Sequence, residues 1–192
     1  DSSASDVFTV NVRPKIMVST NASDPAEVVA EDYDGPADSL DYQFMAPDEN
    51  EGVMSSDYND FLNLMGGDDA ADGGLGDDVI DGGTGSNFLT GGDGSDVFFI
   101  DGRGGDTTWS TIADFMPGVD EVNMWGWVDG VSQLIRAEAS DGAPGWQGAT
   151  FHYDLDGNNV IDSSVTFTAM SLAEVGTPTV DMVETNGYLL WE

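Results

Sequence analysis

The sequence predicts an all-β chain centred on a coil of short parallel strands, and two observations predict it. Glycine pairs recur every nine residues through "GGLGDDVIDGGTGSNFLTGGDGSDVFFI", residues 73–100. The segments after it alternate apolar and polar side chains between Gly, Asn and Asp turns, the pattern of half-buried strands. The chain has 192 residues, 40% hydrophobic and 10% aromatic, enough for a packed core of one or two small domains.

Charge narrows the partners. Against 37 Asp and Glu stand four Lys and Arg, a formal charge of -33. Nucleic acid and anionic membrane are excluded as partners, because both are polyanions bound through basic patches. A compact chain of this length has a radius of gyration of about 16 Å. Charges held so close repel over a screening length of about 8 Å, so cations are expected to neutralise part of them. Cysteine is absent, which removes disulfides and thiolate metal sites. No apolar run of about 18 residues is present to insert into a membrane. The start, "DSSASDVFTV", lacks an initiator Met, a basic start and an apolar signal region, and predicts a fragment of a longer protein.

In chain order, residues 1–18 hold one alternating strand, "SDVFTVNVR", which ends at Pro14. It either joins the sheet downstream or is the last strand of a preceding sandwich domain. Residues 19–54 read as an acidic connector interrupted by "STNASDP", "EDYDGPADS" and "MAPDENEG", with Leu40, Tyr42, Phe44 and Met45 as apolar anchors. Residues 55–106 are the repeat region, and residues 107–192 a β-rich cap. Within the cap, Ala149 to Tyr153 and Ser164 to Met170 read as a hairpin around an Asp, Gly and Asn loop. Near the end, Thr177 reads as a helix cap with Pro178 at the first helical position and Gly187 as the stop.

Written in nines, the repeats are SSDYNDFLN, LMGGDDAAD, GGLGDDVID, GGTGSNFLT and GGDGSDVFF, starting at residue 55. Position six is Asp60, Asp69, Asp78, Asn87 and Asp96; position eight is Leu62, Ala71, Ile80, Leu89 and Phe98. Glycines at positions one, two and four permit positive φ and let carbonyls turn outward. One apolar side chain per repeat then faces a narrow interior. Each unit is a six-residue turn plus a three-residue strand, and successive units feed alternate sheets. Turns on one edge therefore recur every 18 residues, pairing Asp60 with Asp78, Asp78 with Asp96, and Asp69 with Asn87.

Calcium fits that edge by ligand type. It takes six to eight oxygens from carboxylates and carbonyls alike. Stacked turns offer the position-six side chains and carbonyls at Gly74, Gly76, Gly83, Gly85, Gly92 and Gly94. Magnesium demands tighter octahedral geometry, and zinc wants nitrogen or sulfur in a chain with one His and no Cys.

The stretch resembles the RTX, or hemolysin-type, nonapeptide repeat GGxGxDxUx. Three repeats carry the full glycine pattern, one of them with Asn87 for Asp, and the two upstream repeats are degenerate. The resemblance implies a calcium-binding parallel β-roll of nonapeptide repeats holding several ions. The run "GGDGSDVFFI" followed by "DTTWSTIADFMPGVDEVNM" resembles the region that closes such rolls in type I secreted proteins, at Asp106, Ile112, Asp114, Phe115, Gly118, Asp120 and Val122. That resemblance implies a further calcium near Asp114 and Asp120; the residues alone are equally consistent with a strand and tight turn at Pro117 and Gly118.

A second candidate loop is "DLDGNNVIDSSV". Asp154, Asp156, Asn158 and Asp162 occupy positions 1, 3, 5 and 9 of an EF-hand-like series, with a Val160 carbonyl at 7. It departs at position 12, where Val165 replaces the bidentate Glu, and the alternative is a polar hairpin turn. His152, the only histidine, excludes an HExxH zinc site and reads as a strand residue beside Tyr153. No nucleophile elbow, phosphate loop or dinucleotide motif is present, so no catalytic or organic-cofactor residue is assigned and the chain is not expected to be an enzyme. Trp109, Trp125, Trp127, Trp146 and Trp191 read as core, with a sugar or peptide platform as the alternative. The ending "GYLLWE" resembles the uncleaved C-terminal export signals of type I substrates.

These readings predict a secreted, extracellular module at the cell surface, part of a bacterial adhesin or matrix-forming protein. It would meet the type I secretion apparatus during export, then calcium, then a glycan or other cell-surface ligand or another copy of itself. The alternatives are the RTX tail of a secreted protease, lipase or polysaccharide epimerase, and a ligand-binding or self-assembling module.

Overall fold

The computed structural model describes residues 13–20, 25–102, 106–183 and 186–192. Among the described residues the fold is all-β apart from one four-residue helix. In order, the strands are β1 (Lys15–Ser19), β2 (Ala26–Val29), β3 (Glu31–Asp32), β4 (Tyr42–Met45), β5 (Gly52–Met54), β6 (Asp60–Asn63), β7 (Ala70–Leu75), β8 (Val79–Asp81), β9 (Phe88–Asp93) and β10 (Val97–Asp101). They continue with β11 (Thr108–Ile112), β12 (Glu121–Val128), β13 (Gln133–Asp141), β14 (Gly148–Asp154), β15 (Ser163–Thr168), the helix α1 (Leu172–Val175), β16 (Thr179–Val183) and β17 (Asn186–Trp191).

Two mixed sheets result, in an arrangement compatible with a β-roll. One has the order β13-β14-β15-β11-β9-β7-β5-β1-β2, the other β16-β17-β12-β10-β8-β6-β4-β3. Through the repeats, neighbours are parallel: Leu62 pairs with Ile80 and Ile80 with Phe98 in one sheet, Val53 with Ala71 and Ala71 with Leu89 in the other. The nine-residue period explains this alternation, since each repeat is one strand and the next crosses to the opposite sheet. Position eight supplies the interior: Leu62, Ile80, Leu89 and Phe98 are fully buried and Ala71 nearly so. Antiparallel strands close both ends, β1 and β2 at one and β13, β14, β16 and β17 at the other.

Three expectations meet the structure differently or fall outside it. The alternating strand of residues 5–13 lies almost wholly outside the described residues. The stretch from 19 to 54 is not bare linker where it is described: β4 pairs parallel with β6 and β5 with β7, each at the 18-residue offset of the repeats. The helix expected after Thr177 is strand β16, antiparallel to β17. Pro178 fixes φ at a value that also suits the start of an edge strand. The helix lies earlier, where Ser171 accepts from the Glu174 amide and the Glu174 side chain from Ser171, a capping box.

The expected hairpin is β14 with β15, in the register Thr150 to Thr166 and His152 to Ser164. Its burial does not alternate. All of β14 is buried, its two edges paired to β13 and β15 and its polar side chains held in a network. There His152 Nδ1 meets Ser164 Oγ at 2.8 Å, and Thr166 Oγ1 takes the Trp109 indole N–H at 2.8 Å. Of the tryptophans, Trp191 is core, Trp127 packs edge-on to Tyr153, Trp125 stacks on Phe99, and Trp146 is exposed with its edge on Phe88. The "GYLLW" ending is β17 itself, with Leu189 and Trp191 buried and paired to β12.

Candidate metal centre

The turns between strands stack with their backbones in near contact. At Gly94 (φ +149°) a Cβ would stand 1.8 Å from the Gly76 carbonyl oxygen, and at Gly85 (φ +114°) 1.8 Å from that of Gly67. Glycine is therefore required twice over, by dihedral and by the carbonyl of the turn 18 residues earlier. Gly74, Gly83 and Gly92 repeat the relation against Ser56, Met65 and Gly74. Gly94→Ala is expected to destabilise the fold by on the order of 1–3 kcal/mol, read as a lower thermal midpoint in saturating calcium. A midpoint equal to wild type would mean that the turns do not stack this closely.

Position-six side chains run between these turns as a ladder. The Asp60 amide donates to Asp78 Oδ1 at 2.7 Å, the Asp78 amide to Asp96 Oδ1 at 2.9 Å, and the Asp96 amide to Asp120 Oδ1 at 3.1 Å. On the other edge the Asp69 amide donates to Asn87 Oδ1 at 3.0 Å. Each of the three residue pairs expected from the repeat is thus in contact. One carboxylate oxygen takes the backbone bond and leaves the other over. Asp60 Oδ1, Asp69 Oδ2 and Asp78 Oδ2 are buried and accept no hydrogen bond.

Asn87 shows what the spare position needs. Its Nδ2 donates at 2.6 Å to the carbonyl of Gly82, position one of its own repeat. An aspartate there brings an oxygen instead of that N–H, a second acceptor beside the turn's backbone. Asp78 Oδ2 and Asp96 Oδ2 lie against Gly73 and Gly91, the corresponding glycines, so close that a Cβ would meet them at 2.4 and 2.2 Å. A buried anionic oxygen without a donor is costly. Burial accordingly pushes the Asp78 carboxyl up to about 8, opposed by the Asp60 amide and reinforced by the charges of Asp60, Asp96 and Asp77. Asp96 is pushed up to about 6, again first by burial. Burial also raises Asp69. A hard cation with oxygen ligands satisfies such a set, so the residues present fit calcium.

Asp114 and Asp120 are tied to backbone instead. Asp114 accepts from the Gly91 and Gly92 amides at 3.0 and 2.9 Å, and Asp120 Oδ2 from the Met116 amide at 2.7 Å while its Oδ1 ends the ladder at Asp96. In the later loop, carboxylate oxygens of Asp154, Asp156 and Asp162 lie within 4.8 Å of one another. Asn158 stands apart from them in role, its Oδ1 taking the Val160 amide and its Nδ2 donating to Asp156. Asp154 is held below the usual carboxylate range by the Gln133 side chain and by the amides of Asn159, Gly157 and Asn158.

Sequence reasoning missed Glu51, which the fold puts in the same ladder. Its amide donates to Asp69 Oδ1 at 2.8 Å across 18 residues. Counting the nines back from residue 55 makes it position six of residues 46–54, with the buried Val53 at position eight. The signal was present in phase but not in composition, because that unit lacks the glycine pair. Ser55 and Ser56 were also passed over; their hydroxyls and the Ser56 amide donate to Asp60 Oδ2 at 2.6 to 3.0 Å.

No protein-family model matches the chain. No curated protein matches it either. Among solved structures, the solution structure of the AlgE6R3 subunit from the Azotobacter vinelandii mannuronan C5-epimerase is similar over 78% of this chain and 84% of that one, at 20% identity and a TM-score of 0.37. At that score the likeness adds nothing to the geometry above. No helix among the described residues is long and apolar enough to cross a membrane.

Proposed function

We propose that the chain is a calcium-binding RTX-type module, a parallel β-roll of nonapeptide repeats that folds outside the cell once calcium fills its turns. The observation that carries this reading is the row of buried carboxylate oxygens without donors at Asp60, Asp69 and Asp78. Asp96 and Asn87 complete the two edges, with carbonyls at Gly74, Gly76, Gly83, Gly85, Gly92 and Gly94 available for the rest of each shell. Asp114 and Asp120 close the ladder and present carboxylates near its last rung, and the Asp154, Asp156 and Asp162 cluster is a separate, weaker calcium position. Bound calcium supplies the positive charge the chain lacks, so its binding free energy becomes folding free energy. At low intracellular calcium, self-repulsion holds the chain open for type I secretion.

In this reading the module is not itself an enzyme. It belongs to a secreted surface adhesin or matrix-forming protein, or is the tail of a secreted enzyme such as a polysaccharide epimerase. Sequence preceding Asp1 separates these settings: tandem sandwich repeats mark the first and a catalytic motif the second. The test of the module's own role is calcium titration of the metal-stripped chain by calorimetry, with circular dichroism and hydrodynamic radius followed together. A cooperative gain of β-structure with compaction is expected. Identical spectra and radius with calcium and with chelator would sink the proposal.

A further inference from the structure

Glu51 stands outside every glycine-bearing repeat, yet it is 4% exposed and neither of its carboxylate oxygens accepts a hydrogen bond. Its neighbour across the turn, Asp69, has Oδ2 in the same condition. No basic side chain answers them among the described residues: Arg13 pairs with Asp32, Lys15 with Glu27 and Arg136 with Glu138. Two buried acids adjoin with three donorless oxygens and a recess, lined also by Ser19, Thr20, Asn50 and Asp68, opening beside them.

The turn that carries Glu51 is stacked like those of the repeats although its sequence, "APDENE", has no glycine. The Asp68 amide donates to Asn50 Oδ1 at 3.0 Å, as the Ser86 amide donates to Asp68 Oδ1 at 2.8 Å one turn on. The Glu49 carbonyl lies over Gly67, 2.1 Å from where a Cβ would be. Without glycines this turn has fewer carbonyls free to swing toward an ion. A side chain one methylene longer than aspartate, with both oxygens free, compensates by binding in two-oxygen fashion, as calcium accepts from glutamate.

We infer that Glu51 and Asp69 form a further divalent-cation site, preferring calcium, that extends the ladder beyond its glycine-bearing repeats toward the N-terminal end of the roll. The inference rests on the proposed calcium-binding function and adds to it a residue and a site that the repeat pattern does not mark. The site holds the first pair of position-six carboxylates on its edge, so it ties β5 to β7 before the glycine-rich turns begin.

The test is calcium calorimetry on the full chain as wild type, Glu51→Gln and Glu51→Asp, with circular dichroism in saturating calcium as a check on folding. Glu51→Gln is expected to bind one calcium fewer per chain while keeping the cooperative folding transition. Glu51→Asp, which keeps the carboxylate but loses the reach, is expected to keep the wild-type number at weaker affinity. An unchanged stoichiometry and affinity in a folded Glu51→Gln would overturn the site and leave the module's calcium function standing. A wild type that bound no calcium would remove both. If Glu51→Gln does not fold, a crystal structure of the wild type grown in calcium decides. An ion within about 2.3–2.6 Å of Glu51 and Asp69 oxygens is expected, and filled rungs at Asp78 with none at Glu51 overturn the inference.

Discussion

Asp78→Ala is expected to raise the calcium concentration needed for folding by at least about tenfold and to blunt the cooperativity of the transition. Asp78 is the middle rung of its edge. Its Oδ1 holds the Asp60 amide, its own amide is held by Asp96, and its Oδ2 is one of the buried oxygens left over. Losing a charged partner costs on the order of 1.5–3 kcal/mol, and each 1.4 kcal/mol is about a factor of ten in binding. Two turns lose a ligand at once. Removal of one negative charge is not the cause if Asp129→Ala, at an exposed turn position, leaves the midpoint where it was. Equal midpoints for Asp78→Ala and wild type would show that the ladder does not hold the ion.

The second large effect is a reversal of pH dependence by calcium. Burial pushes the Asp78 and Asp96 carboxyls up to about 8 and about 6, from 3.8 for an ordinary aspartate. A carboxyl whose folded value is raised favours the fold while protonated. That contribution is whole below about pH 4, and it is lost as pH rises through 6 and then 8. Without calcium the chain is therefore expected to hold more β-structure at pH 5 than at pH 8. Calcium competes with those protons, so at millimolar calcium stability is expected to hold or rise over the same interval. Circular dichroism at both pH values, with and without calcium, checks this. Calcium-free β-structure that increased from pH 5 to pH 8 would contradict the burial of these carboxylates.

Much of this architecture was legible because the repeat imposes two demands on every unit. The interior admits one side chain per strand, so position eight had to be apolar. The turn needs one acceptor at a fixed place, so position six had to be acidic or amide. Both columns fixed the 18-residue pairing of Asp60, Asp78 and Asp96 that the hydrogen bonds display. Upstream the same coil continues without the glycines that set the phase. Tyr42 to Met45 and Gly52 to Met54 pair in register, but Pro47, Asp48 and Asn50 between them are also what a linker would use. The misplaced helix has a local cause too. Thr177 and Pro178 carry a start signal that a strand edge tolerates equally, while "SLAE" at Ser171 to Glu174 is a reciprocal cap, readable only once its short length is accepted. β13 was hidden because an edge strand with mostly exposed side chains has no alternation to read.

The chain's last strand has a consequence for timing. Leu189 and Trp191 of β17 are sealed in the core against β12, in the segment whose sequence resembles a C-terminal export address. An exporter that reads that address can read it only on an unfolded chain, since the folded one has consumed it as a strand. Under the proposed secretion, folding would act as a ratchet: once calcium had set the roll outside, that segment would be sealed in a strand and could not be read a second time.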